Sequence, residues 1–184
     1  FYWAPAEIRE RFAMLVKDGY KGSGDYGVFA FGAYNGQTAN KSEANRNLHV
    51  VTRVTYPFVI GNQIIEPGLQ AYTGKWAFTN ELSTGVTTPD KQYTLDQRVG
   101  ATFVLYPKPF GIQTEYNIGK GPRYDKTTNK VEVSDLNGGY ITLNYKWDVN
   151  LAKHHFIYPF AKFQYYDGGK KFEKDSRSYI VRDY

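Results

Sequence analysis

Polar and apolar side chains alternate with a period of two along most of this chain, and no other feature constrains its fold as strongly. Between Leu48 and Phe58, the residues Leu48, Val50, Thr52, Val54, Tyr56 and Phe58 fall on one side of an extended segment, with His49, Val51, Arg53 and Thr55 on the other. The pattern returns from Ile64 to Lys75, where Ile65, Leu69 and Ala71 oppose Glu66, Gly68, Gln70 and Tyr72. It returns again from Tyr93 to Tyr106, where Val99, Ala101, Phe103 and Leu105 oppose Asp96, Arg98 and Thr102. Ile112, Thr114, Tyr116 and Ile118 then oppose Gln113, Glu115 and Asn117, and Ile141, Leu143, Tyr145 and Trp147 oppose Tyr140, Thr142, Asn144 and Lys146. In the last clear segment Ile157, Ala161, Phe163 and Tyr165 oppose Tyr158, Lys162, Gln164 and Tyr166. The first segment, Tyr26 to Asn35, has two competing registers, because Phe29 and Phe31 contend with Tyr26, Val28 and Tyr34 for the apolar side.

Such strands fit a soluble sheet or a membrane barrel, and composition separates the two. The chain has 184 residues and is 17% aromatic, with 17 Tyr and 12 Phe. Its mean hydropathy is nevertheless −0.56, and it lacks any run of about 18 apolar residues that could form a transmembrane helix. A transmembrane barrel reconciles these values, because only alternate residues of each strand meet lipid. There are no cysteines, which excludes disulfides, thiolate metal sites and a cysteine nucleophile. Lys plus Arg number 23 against 18 Asp plus Glu, a net charge of +5, so an anionic partner is expected where the charge is concentrated.

The connections alternate as well. Short turns at Pro57 to Gln63, Pro107 to Phe110 and Asp148 to His155 exchange with longer polar loops at Gly36 to Asn47, Gly74 to Gln92, Gly119 to Asp135 and Asp167 to Ser178. Short on one rim and long on the other is the habit of outer-membrane barrels. Aromatics at strand ends, such as Tyr56, Phe58, Trp76, Tyr93, Phe110, Tyr145 and Trp147, suit interfacial girdles. Ahead of the strands, Ala4 to Tyr20 reads as a helix, with Ile8, Phe12, Leu15 and Val16 at helical spacing, Pro5 near its start and Gly19 near its end. Loop parity puts this helix on the short-turn side, packed across the barrel mouth or along its wall. The expected fold is all-β: an antiparallel transmembrane β-barrel with one short N-terminal helix. Residues 1–24 hold the helix and a periplasmic-side connection, and 25–184 hold strands and loops of a single outer-membrane domain. Seven strands are readable and an eighth begins near Tyr179. These are too few to close without exposing unpaired backbone to lipid, so the chain is expected to be part of a longer protein, with Phe1, Tyr2 and Trp3 ending a preceding strand.

The blocks GDYGVFAFGAYNGQTANKSEANRNLHVV, NQIIEPGLQAYTGKW, FVLYPKPFGIQTEYNIGKGP and QYYDGGKKF, with FYWAPAEIRERFAMLVKDGYKGSG before them, cover essentially the whole chain. Together they resemble the phosphate-selective porin O and P family of Gram-negative bacteria. The resemblance implies an outer-membrane barrel of about sixteen strands, usually a homotrimer, of which this chain would supply seven to eight middle and later strands. It also implies a channel for small anionic solutes, contact with outer-membrane lipid and lipopolysaccharide, no cofactor and no nucleic acid. Members of the family pass phosphate or pyrophosphate along lumen arginines, but those positions do not align motif by motif with this sequence, so no binding residue is carried over.

By alternation alone, Arg53, Arg98, Lys146, Lys162 and Arg182 face the lumen and are the candidate anion contacts. Glu66, Asp96 and Glu115 share that side and could instead pair with the cations across neighbouring strands. Both readings stand on the sequence. Tyr72, Tyr140, Tyr158 and Tyr166 also point inward, either to line a solute path or to fill space and bond to neighbours. His154 and His155 sit in a turn and diverge, and His49 is alone, so no metal site is expected. The GKGPR stretch, Gly119 to Arg123, lacks the helix and Lys-Ser/Thr pair of a phosphate loop and reads as a flexible external loop. No nucleophile elbow or other catalytic set is present, and an enzyme is not expected. A channel leaning to anions is the leading reading. The alternatives are a non-conducting outer-membrane barrel acting as an anchor or surface-interaction protein, and a soluble ligand-binding barrel, which the girdles and loop asymmetry disfavour.

Overall fold

A computed structural model describes residues 1–22, 27–35, 46–77, 93–149 and 155–169. Its elements in chain order are β1 (Tyr2–Trp3), α1 (Ala6–Lys17), β2 (Phe29–Tyr34), β3 (His49–Thr55), β4 (Phe58–Ile60), β5 (Gln63–Ala77), β6 (Tyr93–Leu105), β7 (Phe110–Asp125), β8 (Lys130–Tyr145), β9 (Trp147–Asp148), β10 (Phe156–Ile157) and β11 (Phe160–Asp167). One antiparallel sheet runs β1-β2-β3-β5-β6-β7-β8-β11, with β4 folded onto β5 and a separate β9–β10 ribbon. The all-β fold with a short helix therefore stands as expected. The strand that the alternation ran through Phe58 is broken at Pro57, whose ring nitrogen cannot donate to a ladder. Beyond it, β4 and β5 form a tight hairpin through Gly61 at φ 58.

Directly paired residues of an antiparallel ladder point to the same side, so the register separates two faces. One carries the rows Ile65–Leu105–Ile112–Leu143–Ala161 and Val54–Leu69–Ala101–Tyr116. This face is apolar and uncovered, with Leu69 65% and Val99 56% exposed. The other carries the row Arg53–Gln70–Gly100–Asn117 and is polar. Pairing also decides the ambiguous first strand: Phe29 lies opposite Val54 and Phe31 opposite Thr52, so both phenylalanines join the apolar face. Val28 and Tyr34 fall on the polar one, and Tyr26 lies outside the described residues.

The helix packs on the polar face at its short-turn end. Ile8, Phe12 and Leu15 are buried against Ile64 and Tyr106, with Val28, Tyr56 and Val104 around them. Its C-terminus closes as the Tyr20 N–H donates to the Leu15 carbonyl and Gly19 takes φ 71, the left-handed turn that glycine supplies without strain. The Phe156 ring lies so close that a Cβ on Gly19 would sit 2.4 Å from it, so glycine is needed for space as well as for conformation.

One expected loop is a hairpin instead. Gly119 to Asp135, with its GKGPR stretch, continues β7 to Asp125 and returns as β8 from Lys130, pairing Gly121 with Ser134 and Arg123 with Glu132. Both faces carry polar residues here, which reads as a loop in sequence because alternation stops. The turn is built by Asp125, which accepts from the Thr127 N–H at 2.8 Å and the Thr128 hydroxyl at 2.9 Å, and by Asn129 at φ 55. Those donors, Thr127 first, hold the exposed Asp125 carboxyl below its ordinary 3.8. A lowered folded pKa contributes order above the unfolded pKa and loses it as pH falls through the folded one. Protection of the Thr127 amide from exchange is therefore expected to be full above about pH 4 and to fall below it. The Asp125→Ala variant should show low protection at every pH, and an acid-insensitive turn would contradict this account.

Candidate functional site

The polar face holds a cavity of about 540 Å³ lined by Arg53, Gln70, Tyr72, Asp96, Arg98 and Glu115, among others. Three carboxylates lie on this face, Asp96 and Glu115 in the cavity wall and Glu66 toward the short-turn end, each bound differently. Glu66, on β5 near the short-turn end, has a side chain only 3% exposed. It receives the Lys21 ammonium at 3.1 Å, the Thr55 hydroxyl at 3.0 Å and the Tyr106 hydroxyl, with the Arg53 guanidinium 4.0 Å away. Lys21 also lies 4.5 Å above the Phe12 ring, so the same lysine ties α1 to the sheet. Glu115, on β7, accepts from the amides of Gln70 at 3.1 Å and Asn117 at 2.6 Å.

Asp96, on β6, is fully buried and 3.4 Å from the Arg98 guanidinium. Its other oxygen accepts from the Tyr72 hydroxyl at 3.2 Å, and that hydroxyl is 2.6 Å from Nδ1 of His49. His49 is itself buried, with Nε2 2.9 Å from the Lys75 carbonyl. Arg53 and Arg98, in contrast, remain 35% and 37% exposed. Cations and carboxylates thus alternate on this face, but at the Glu66 and Asp96 pairs the acid is buried and the arginine side chain is about one-third exposed.

Of the remaining sequence candidates, Lys162 on β11 lies 4.6 Å over the Tyr140 ring, toward the β11 side of the same face. Lys146 is separate: it pairs with Asp148 at 3.2 Å, stacks on Tyr20 and Phe156, and is only 11% exposed, at the short-turn end. Arg182 and His154 lie outside the described residues. Tyr140 accepts from Gln113 at 3.1 Å, and Tyr166 donates to the Gly169 carbonyl at 2.9 Å. Tyr158 donates to the Gly19 carbonyl and so caps the helix end; burial raises its phenol pKa, with smaller contributions from Tyr20 and Asp148. Among the described residues no group of three or more His, Asp or Glu is placed to hold a metal.

Sequence reasoning missed Lys21, Thr55 and Tyr106 around Glu66, and it missed the linkage of His49 to Asp96. Parity marked His49, Tyr72 and Asp96 as sharing a side. It carried no sign that they touch.

With this geometry in place, comparison with known families is decisive: the family described as phosphate-selective porin O and P matches residues 7–175. The chain belongs to that family. No match is found among curated proteins or solved structures. Membership makes this an outer-membrane porin, a channel in class. No helix among the described residues is long and apolar enough to cross a membrane.

Proposed function

We propose that this porin segment forms part of the wall of a water-filled channel through which small solutes diffuse passively, with a preference for anions such as phosphate. In this reading the apolar face meets lipid and lipopolysaccharide, the polar face lines water, and the assembled protein is a homotrimer of Gram-negative outer membranes. Arg53, Arg98 and Lys162 are its anion contacts. The observation that carries the reading is the asymmetry of the ion pairs. The Glu66 and Asp96 side chains are 3% and 0% exposed, whereas Arg53 and Arg98 are each about one-third exposed. A solute in the cavity meets a partly exposed arginine side chain and not the buried carboxylate, and a low-dielectric wall focuses that field. Pairing and anion attraction are therefore compatible, since the buried acid orients the exposed cation.

The test is the reversal potential of the full-length protein in a planar bilayer under a KCl gradient, where an anion-selective sign is expected. Because one unit charge contributes about 1 kcal/mol at ~4 Å even in water, Arg98→Gln should lower the chloride-to-potassium permeability ratio severalfold. A cation-selective wild type would refute the assigned role of the arginines. A folded protein that carries no current would favour the non-conducting alternative, for which α1 resting on the polar face is the one supporting observation.

A further inference from the structure

His49 occupies a built slot. Its ring lies over Gly74, where a Cβ would come within 2.4 Å of it, and between Tyr34 and Tyr72, at centroid distances of 5.7 and 5.4 Å. We propose that His49 is a specificity-determining, positioning residue that acts through Tyr72 and Asp96 on Arg98, so that anion preference rises when the imidazole takes up a proton. This rests on the channel reading above.

The argument is a count of protons. A carbonyl can only accept, so Nε2 of His49, 2.9 Å from the Lys75 carbonyl, carries a hydrogen in either charge state. In neutral His49, Nδ1 is then bare and takes the Tyr72 hydroxyl proton across 2.6 Å. That hydroxyl has one proton and a second acceptor, Asp96 Oδ2, at 3.2 Å. When His49 is protonated, Nδ1–H donates to the Tyr72 oxygen and the hydroxyl proton turns to Asp96. The carboxylate's charge is then shared between Tyr72 and Arg98, whose Nε is 3.4 Å from Oδ1. Its hold on the guanidinium weakens, and the imidazolium adds a positive charge behind the wall. Both changes favour anions.

Among the described residues, the charged and titratable groups around this relay are Tyr34 from β2, Arg53 from β3, Tyr72 from β5, Asp96 and Arg98 from β6, and Tyr166 from β11.

The experiment measures chloride-to-potassium permeability of the full-length protein in planar bilayers from about pH 8 to about pH 5.5. Wild type is expected to gain about threefold in anion preference over that range. His49→Gln should be flat. Tyr72→Phe keeps the imidazole but cuts the relay, and should lose most of the gain. Retention of the full wild-type pH dependence in either variant overturns the proposal, as does a conducting wild type with pH-independent selectivity. Absence of current in the folded wild type would instead overturn the channel reading on which it depends.

Discussion

Phe12→Ala is expected to release α1 from the sheet. Phe12 is 2% exposed, within the cluster of Ile8, Leu15, Ile64 and Tyr106, and its ring supports the Lys21 ammonium that bonds to Glu66. Truncating a buried phenylalanine costs about 3–5 kcal/mol through lost transfer energy and the cavity left behind. Here the helix meets the sheet through this cluster and through polar ties such as the Arg11 guanidinium to the Pro57 carbonyl at 2.5 Å, while Phe156 and Tyr158 meet its C-terminal end at Gly19, so the loss falls on the main apolar docking contact. Limited proteolysis within 6–17 should accelerate by orders of magnitude. Single-channel conductance should also rise if the polar face lines the proposed channel, because the helix occupies its short-turn end. Met14→Ala is the control: Met14 is 37% exposed on the same helix, and its loss should stay within about 0.5 kcal/mol. Equal protease sensitivity in the two variants would mean that the cluster does not hold the helix.

Leu69→Arg and Gln70→Arg are consecutive in sequence and should have opposite outcomes. Leu69 stands in the apolar row between Val54 and Ala101, and Gln70 in the polar row between Arg53 and Gly100. An arginine on the lipid face of a barrel costs about 2–4 kcal/mol near the midplane. At position 70 it would enter the cavity beside Glu115, which already draws the Gln70 amide to 3.1 Å, so folding should be preserved. Urea unfolding of the full-length protein in lipid vesicles would measure both. A similar loss in each would mean that the two faces are not lipid and water.

The two-faced strands were legible because which side a residue occupies depends only on its parity within the strand. Segments from β3 to β11 read this way, and the rows Leu69–Ala101 and Gln70–Gly100 fall where the alternation put them. Short connections were legible through Pro57 and Gly61, and the helix through Ile8, Phe12, Leu15 and Gly19, since turn and cap chemistry is equally local. The β7–β8 hairpin was not, because Lys120, Arg123 and Glu132 put charge on both faces and break the period. In β2, where large apolar residues occur at both parities, the sequence offered two registers of equal merit.

What the sequence determined by itself was the two-faced architecture, the presence of the helix and, through long blocks such as NQIIEPGLQAYTGKW, the porin family. Each is encoded in consecutive residues. Only the tertiary structure decided that β2 turns Phe29 and Phe31 outward, because that depends on which strand offers it hydrogen bonds. Only it decided that Lys21 reaches Glu66 and that His49 reaches Asp96 through Tyr72, because these groups lie on different elements joined by strand pairing and helix docking. The depth of each charge was settled the same way. Parity gives Arg98 and Asp96 one face, and the packing around them buries the acid and leaves the arginine side chain partly exposed.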